Sequence, residues 1–134
     1  MEFALSIMVV LITIFFAWEL LMAMYTASVL ADAAKEGVRY AIVHGSNSSL
    51  CSGPNLSSPC AYDAPAAEVV NTVKNYAKAS LHDTSAINVT VTYPDGNNEP
   101  PSRVAVTVTY SYVPYINLPF TPTMTTKAAG RIVN

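Results

Sequence analysis

Residues 3–30 form one long apolar run, FALSIMVVLITIFFAWELLMAMYTASVL, in which Glu19 is the only charged residue. As an α-helix this run would be about 42 Å long, which exceeds the hydrocarbon core of a bilayer, about 30 Å. No proline or glycine precedes Gly37. We therefore expect one unbroken helix over residues 2–42 that is long and apolar enough to span a membrane.

Two other interpretations of the apolar run are less favoured. A secretory signal peptide would carry a positive N-terminal region, which is missing here, and its apolar part would be only roughly 7 to 15 residues long. A plain membrane anchor leaves Glu2 and Glu19 unexplained, because a carboxylate near the bilayer centre costs about 2.5 kcal/mol or more. A charge inside the membrane therefore calls for a partner.

The basic residues and the cysteines after the apolar run indicate opposite sides of the membrane for the rest of the chain. The first basic residue is Lys35, which by the positive-inside bias would place the rest of the chain in the cytoplasm. Cys51 and Cys60, however, lie in a loop rich in Ser, Pro and Asn, which is typical of a short disulfide in an exported domain. Free thiols are the alternative, and the spacing matches no zinc site. A basic leader that once preceded Met1 would reconcile the two signals.

Composition excludes several classes of protein. The chain has 134 residues, 51% of them hydrophobic and 12% charged, which argues against disorder. Its net charge of −2 and lack of a basic block argue against a nucleic-acid partner. The two histidines, His44 and His82, stand far apart, and no catalytic or phosphate-binding motif occurs. We expect His44 to belong to the polar end of the long helix. We expect no enzyme activity, no catalytic residue, no cofactor and no metal site.

The remaining sequence predicts an α+β head. Residues 66–81 have the periodicity of an amphipathic helix, and the face to be buried contains Val69, Val70, Val73, Tyr76, Ala77 and Ser80. Alternating patterns predict three strands, at 87–92, 104–112 and about 123–133, with a turn at 94–101 between the first two. The predicted fold class is thus a long N-terminal helix followed by a small head, with one helix packed on a three-stranded antiparallel sheet.

Both ends of the long helix resemble those of a known family. Glu2 is followed by Phe-Ala-Leu at the start, and residues 32–41 read DAAKEGVRYA at the exit. These motifs resemble the TadE-like pseudopilins of tight-adherence (type IVc) pilus systems, over about the first 43 residues. The implied organisation is a helix at 1–43, which spans the membrane before assembly and forms the filament core afterwards, and an exported head at 44–134.

This resemblance implies a structural function. A prepilin peptidase would remove a basic leader, the subunit would wait in the inner membrane, and the assembly machinery would extract it into an extracellular helical homopolymer used for adhesion or surface attachment. Glu2 matches the family's N-terminal glutamate, although in type IV-like pilins that acid usually stands fifth in the mature chain. Glu2, and with it Glu19, would direct registration between subunits. The alternative is a minor pseudopilin or a membrane-anchored accessory protein needed for assembly.

Three sequons for N-linked sugars occur, at Asn47, Asn55 and Asn88. Asn47 and Asn55 fall in the predicted loop, and Asn88 falls in a predicted strand. Loop asparagines are the better acceptors, because glycans need surface positions. The sequons therefore predict candidate glycosylation sites on the head.

Overall fold

The structure, a computed structural model, describes residues 2–54, 66–81, 83–116 and 121–134. Helix α1, Glu2–Val43, is a single α-helix of 42 residues, about 63 Å long at about 1.5 Å per residue. It runs unbroken because no proline interrupts it and its first glycine comes only near its end. The predicted long helix is therefore confirmed.

The second helix, α2, covers Ala67–Lys78 and lies inside the predicted range of 66–81. Its buried side chains are Val69, Val73 and Ala77, which recur every four residues and so form one stripe. The sequence pattern also assigned Tyr76 to the buried face, but this side chain is 44% exposed. It lies to one side of the narrow stripe that contacts the core.

The head contains one antiparallel sheet with the strand order β1-β2-β3. The strands are β1 (Ile87–Thr92), β2 (Arg103–Ser111) and β3 (Thr123–Arg131). In the register, Val108 lies opposite Val89 of β1 and Thr126 of β3. The predicted α+β class and three-stranded sheet are thus confirmed, with the third strand ending two residues earlier than expected.

The hydrophobic core lies between the sheet and the two helices, and the C-terminal half of α1 belongs to it. Its α1 members include Leu30, Ala33, Ala34, Val38 and Ala41. From β2, Val104, Val106, Val108 and Tyr110 point into the same core, as their period-2 spacing predicts. One helix thus contributes both to the head and to the apolar N-terminal run. The predicted division between residues 43 and 44 remains a prediction.

Close packing of α1 on α2 depends on Gly37. A Cβ atom at this position would collide with Cγ2 of Val73 and would lie 3.5 Å from side-chain atoms of Val69 and Val106. The missing side chain therefore allows the two helices and β2 to approach one another. This packing fixes the position of α1 on the sheet. It therefore determines which residues of α1 lie next to the C-terminal end of β2.

Candidate functional site

The N-terminal part of α1 carries an uncovered apolar surface. Every side chain from Phe3 to Trp18 is exposed, Phe3 to 81% and Trp18 to 55%. The hydroxyl of Thr13 donates to the carbonyl of Val9 at 2.9 Å, so this polar group is satisfied within the helix. Among the described residues, α1 is the one helix long and apolar enough, by length and composition, to cross a membrane.

Glu19, which is 5% exposed, is the first buried side chain after this run, although Leu20, Leu21, Met24 and Tyr25 are again exposed on other sides of the helix. Its Oε1 accepts a hydrogen bond from the hydroxyl of Tyr112 at 2.5 Å and from the backbone N–H of Tyr115 at 3.2 Å. Its Oε2 accepts from the backbone N–H of Ile116 at 3.3 Å. Three donors therefore surround one carboxylate, the arrangement that a buried charge needs.

The donors come from the segment Tyr112–Ile116, which follows β2. The backbone N–H of Tyr112 donates to the carbonyl of Pro122 at 3.0 Å, which holds together the two ends of the connection between β2 and β3. Tyr112 itself is only 3% exposed. Its burial, and then its hydrogen bond to Glu19, raise the pKa of the phenol. The phenol therefore remains a donor throughout the ordinary pH range.

Two small apolar crevices flank Glu19. One, of about 110 Å³, lies between α1 and the connection and is lined by Leu20, Ala23, Tyr112, Pro114 and Pro122, among others. The second, of about 180 Å³, is lined by Ile12, Phe15, Phe16, Glu19 and Ile116. Because Ile116 lines this crevice together with Ile12 and Phe15, the end of the 112–116 segment lies beside the part of α1 that precedes Glu19. These crevices offer apolar contact and no catalytic chemistry.

The two glutamates predicted to direct assembly do not form one site. Glu2 begins α1, about 26 Å along the helix from Glu19 at about 1.5 Å per residue. The sequence led us to expect that Glu19 would find its partner in a neighbouring subunit, whereas the structure gives it three partners in its own chain. A role for either residue in registration between subunits remains a prediction.

The other predicted site residues lie in the head. Cys51 is not a free thiol, and Cys60 lies outside the described residues, as do Asn55 and His82. Asn47 is exposed in the turns after α1, and Asn88 is exposed on β1.

His44, the residue after α1, stacks on Tyr40 with ring centroids 4.0 Å apart. Its Nδ1 lies 2.9 Å from the carbonyl of Tyr40. This position fits the expectation that His44 belongs to the polar end of the long helix. Within the described ranges, no group of three His, Cys, Asp or Glu residues is placed to hold a metal ion.

Sequence reasoning missed the residues that donate hydrogen bonds to Glu19. The alternating pattern predicted Tyr112 as the last residue of the second strand, and β2 ends one residue earlier, at Ser111. Nothing in this pattern indicates that Tyr112 contacts Glu19, which is 93 residues away in the sequence. Two of the three donors are backbone groups, which no side-chain pattern reports. A usable signal was the lack of charge between Arg103 and Lys127, which marks this part of the head as suited to an apolar neighbour.

The fold defines a class of chain in which one long apolar N-terminal helix carries a small α+β head. Residues 1–39 match the family model described as TadE-like protein, which confirms the resemblance seen at the two ends of the helix. The matched region includes the exposed run and Glu19 and ends within α1. No curated protein and no solved structure matches the chain.

Proposed function

We propose that this chain is a pilin-like structural subunit of a Tad-type pilus, which polymerises through α1 into an extracellular filament for adhesion or surface attachment. The observation that carries the proposal is the fully exposed apolar surface from Phe3 to Trp18, within the residues that match the TadE-like family. Before assembly, the same surface would lie in the inner membrane.

The exposed apolar surface of α1 must be buried against lipid or protein. Soluble monomers rarely expose a continuous apolar patch larger than a few hundred Å², and here a helical run of about 24 Å is exposed on all sides. Lipid covers such a helix in a membrane, and parallel copies of the same helix cover it in a filament core. During assembly, the helix would therefore exchange its contacts with lipid for contacts with other copies of the subunit.

Several residues take roles in this proposal. A prepilin peptidase would process the chain near Glu2, and the inner-membrane assembly machinery would extract it. Glu2 would pair with a neighbouring subunit and so set its register. On the head, a Cys51–Cys60 disulfide would close the loop, and Asn47 and Asn55 would be the first candidates for glycosylation.

The test compares filament yield from cells that carry the assembly machinery and produce either the native chain or Glu2→Ala. Material sheared from the cells is examined by electron microscopy, and the chain is quantified by mass spectrometry in the sheared and membrane fractions. We expect filaments composed mainly of the native chain. The Glu2→Ala chain should accumulate in the membrane fraction and yield few or no filaments.

Glu68→Ala is the matched control, because it removes an exposed carboxylate from α2 and should leave the filament yield unchanged. Equal yields from all three chains would contradict the role of Glu2. Filaments in which the chain is a trace component would contradict the proposal of a bulk subunit and support the minor pseudopilin instead. Sheared material without the chain would indicate an accessory protein that stays in the membrane.

A further inference from the structure

Two stretches with almost no charge meet beside Glu19. Along α1, Glu19 is the only charged residue from Phe3 to Ala31, and in the head no charged residue occurs between Arg103 and Lys127. The second stretch contains all but the first residue of β2, as well as the 112–116 segment. Since this segment packs against α1, the end of the head nearest the exposed run is apolar.

Amphipathic aromatic side chains cluster at the same level. Trp18 is 55% exposed and adjoins Glu19, and Tyr115, whose N–H binds Glu19, is 59% exposed. Val113 is also 48% exposed. Trp and Tyr are enriched where the hydrocarbon of a membrane meets its headgroups. Exposed apolar and aromatic side chains on an otherwise compact head thus continue the surface that α1 would present to lipid.

Depth along the helix agrees with this position. If Phe3 lies at one boundary of a hydrocarbon layer about 30 Å thick, the other boundary falls about 20 residues later. Glu19 and Trp18 then lie about 6–8 Å inside the second boundary. Ile116 lines a crevice with Ile12 and Phe15, so the tip of the described segment extends at least as deep as Glu19.

Irregular backbone is normally excluded from lipid, because its N–H groups would lack partners there. In this chain the N–H groups of Tyr115 and Ile116 donate to Glu19. The carboxylate thus satisfies two backbone N–H groups of the segment, and these two groups, together with the hydroxyl of Tyr112, provide hydrogen bonds to the carboxylate. Both effects lower the free-energy cost of placing Glu19 and this end of the segment next to lipid.

We infer that, before assembly, the segment Tyr112–Ile116 enters the boundary between acyl chains and headgroups on the head side of the membrane, docked on α1 through Glu19. The head then rests on the bilayer instead of being held above it. This inference rests on the membrane-stored state in the proposed function and goes beyond it, since a plain helical anchor needs no contact between head and lipid.

The test uses tryptophan fluorescence of the full chain in phosphatidylcholine vesicles, because Trp18 is the only tryptophan. One probe is the native chain. The second is the Trp18→Phe/Tyr115→Trp variant, whose new indole replaces an exposed side chain. Acyl chains brominated near the headgroup act as the lipid quencher and iodide as the aqueous quencher. A third chain, Trp18→Phe/Tyr76→Trp, places the probe on α2 as the matched control.

We expect brominated lipid to quench the Trp18 and Tyr115 probes severalfold more than the Tyr76 probe, and iodide to show the opposite order. Trp18→Phe/Val113→Trp tests the segment independently. Each variant should unfold in detergent at the same temperature as Trp18→Phe. If the Tyr115→Trp or the Val113→Trp variant unfolds at a lower temperature than Trp18→Phe, the quenching of the other variant is used to test the inference.

Each other result overturns the inference. Quenching of Trp18 by lipid with quenching of the segment probe by iodide would show that α1 spans while the head stands clear, which leaves the proposed function intact. Protection of the segment probe from both quenchers would indicate that a second copy covers it. Lack of lipid quenching at Trp18 as well would contradict the membrane-stored state itself.

Discussion

The hydroxyl of Tyr112 lies 2.5 Å from Oε1 of Glu19, so a hydrogen bond joins residues 93 positions apart in the chain. One partner is near the middle of a 42-residue helix and the other directly follows the central strand. The contact fixes the end of the sheet nearest the exposed apolar run. The same hydrogen bond links α1 to the head, and its loss can be measured with single substitutions.

Replacement of Tyr112 by Phe should lower the free energy of unfolding by about 1.5–3 kcal/mol, since a buried charged acceptor loses one of its donors. Chemical unfolding of the full chain in detergent micelles measures this change. Tyr76→Phe, which removes an exposed hydroxyl, serves as the control and should have almost no effect. Equal losses in the two variants would show that the hydroxyl of Tyr112 contributes nothing specific.

Glu19→Gln should be coupled to Tyr112→Phe. The amide keeps the size of the side chain but cannot accept all three hydrogen bonds, because its NH2 group faces donors. In a double-mutant cycle we expect a coupling free energy of about 0.5–3 kcal/mol, in the range found for contacting residues. Strictly additive losses would contradict a direct Glu19–Tyr112 interaction.

Gly37→Ala should destabilise the head even though alanine favours helices. The added methyl collides with Val73 in the packed interface, and overpacking costs about 1–3 kcal/mol, against a gain in helix propensity of up to about 1 kcal/mol. Thermal unfolding in micelles detects the net loss. Val73→Ala provides space for the new methyl, so the double variant should lose less stability than the sum of the single variants.

Asp95 should make the head sensitive to acid. The side chain of Arg103, bound to Asp95 at 2.7 Å, and its backbone N–H lower the pKa of this carboxyl from 3.8 to about 2. Because the pKa is lower in the folded chain, the stabilisation is present above pH 3.8 and is lost as the pH falls toward 2.

Unfolding temperatures measured from pH 6 to pH 2 test this dependence. The native chain should lose more stability over the acid range than Asp95→Asn, which lacks the titrating group. Glu68→Gln removes an exposed carboxylate from the first turn of α2, so it should remove only the small acid-dependent stabilisation of that helix end. Parallel curves for the native chain and Asp95→Asn would contradict the expected contribution of the ion pair.

Cys51→Ser should lower the free energy of unfolding by about 2–3 kcal/mol if it opens a short disulfide loop. The pairing with Cys60 is tested directly by alkylation without reduction, followed by mass measurement of the intact chain. We expect no alkylation until a reductant is added. Labelling of both thiols without reductant would contradict the disulfide.

Local patterns in the sequence predicted, to within a few residues, the helices and strands of the described part of the chain. The absence of proline in residues 1–43 predicted α1, and the alternation of Val104, Val106 and Val108 predicted the buried face of β2, because both signals are local. The partners of Glu19 were not predictable in this way. They depend on where β2 ends relative to α1, which Gly37 and the core determine through contacts between distant parts of the chain.

The shared core has a practical consequence for any attempt to produce the head alone. Leu30, Ala33, Val38 and Ala41 fill the space beneath the sheet, so a fragment that starts at residue 44 would leave that face of the sheet open to water. A fragment that starts at residue 18 would instead lose only exposed side chains among residues 3–17, and it would retain Glu19 with its three donors. The natural point to cut this molecule is therefore inside its longest helix, not after it.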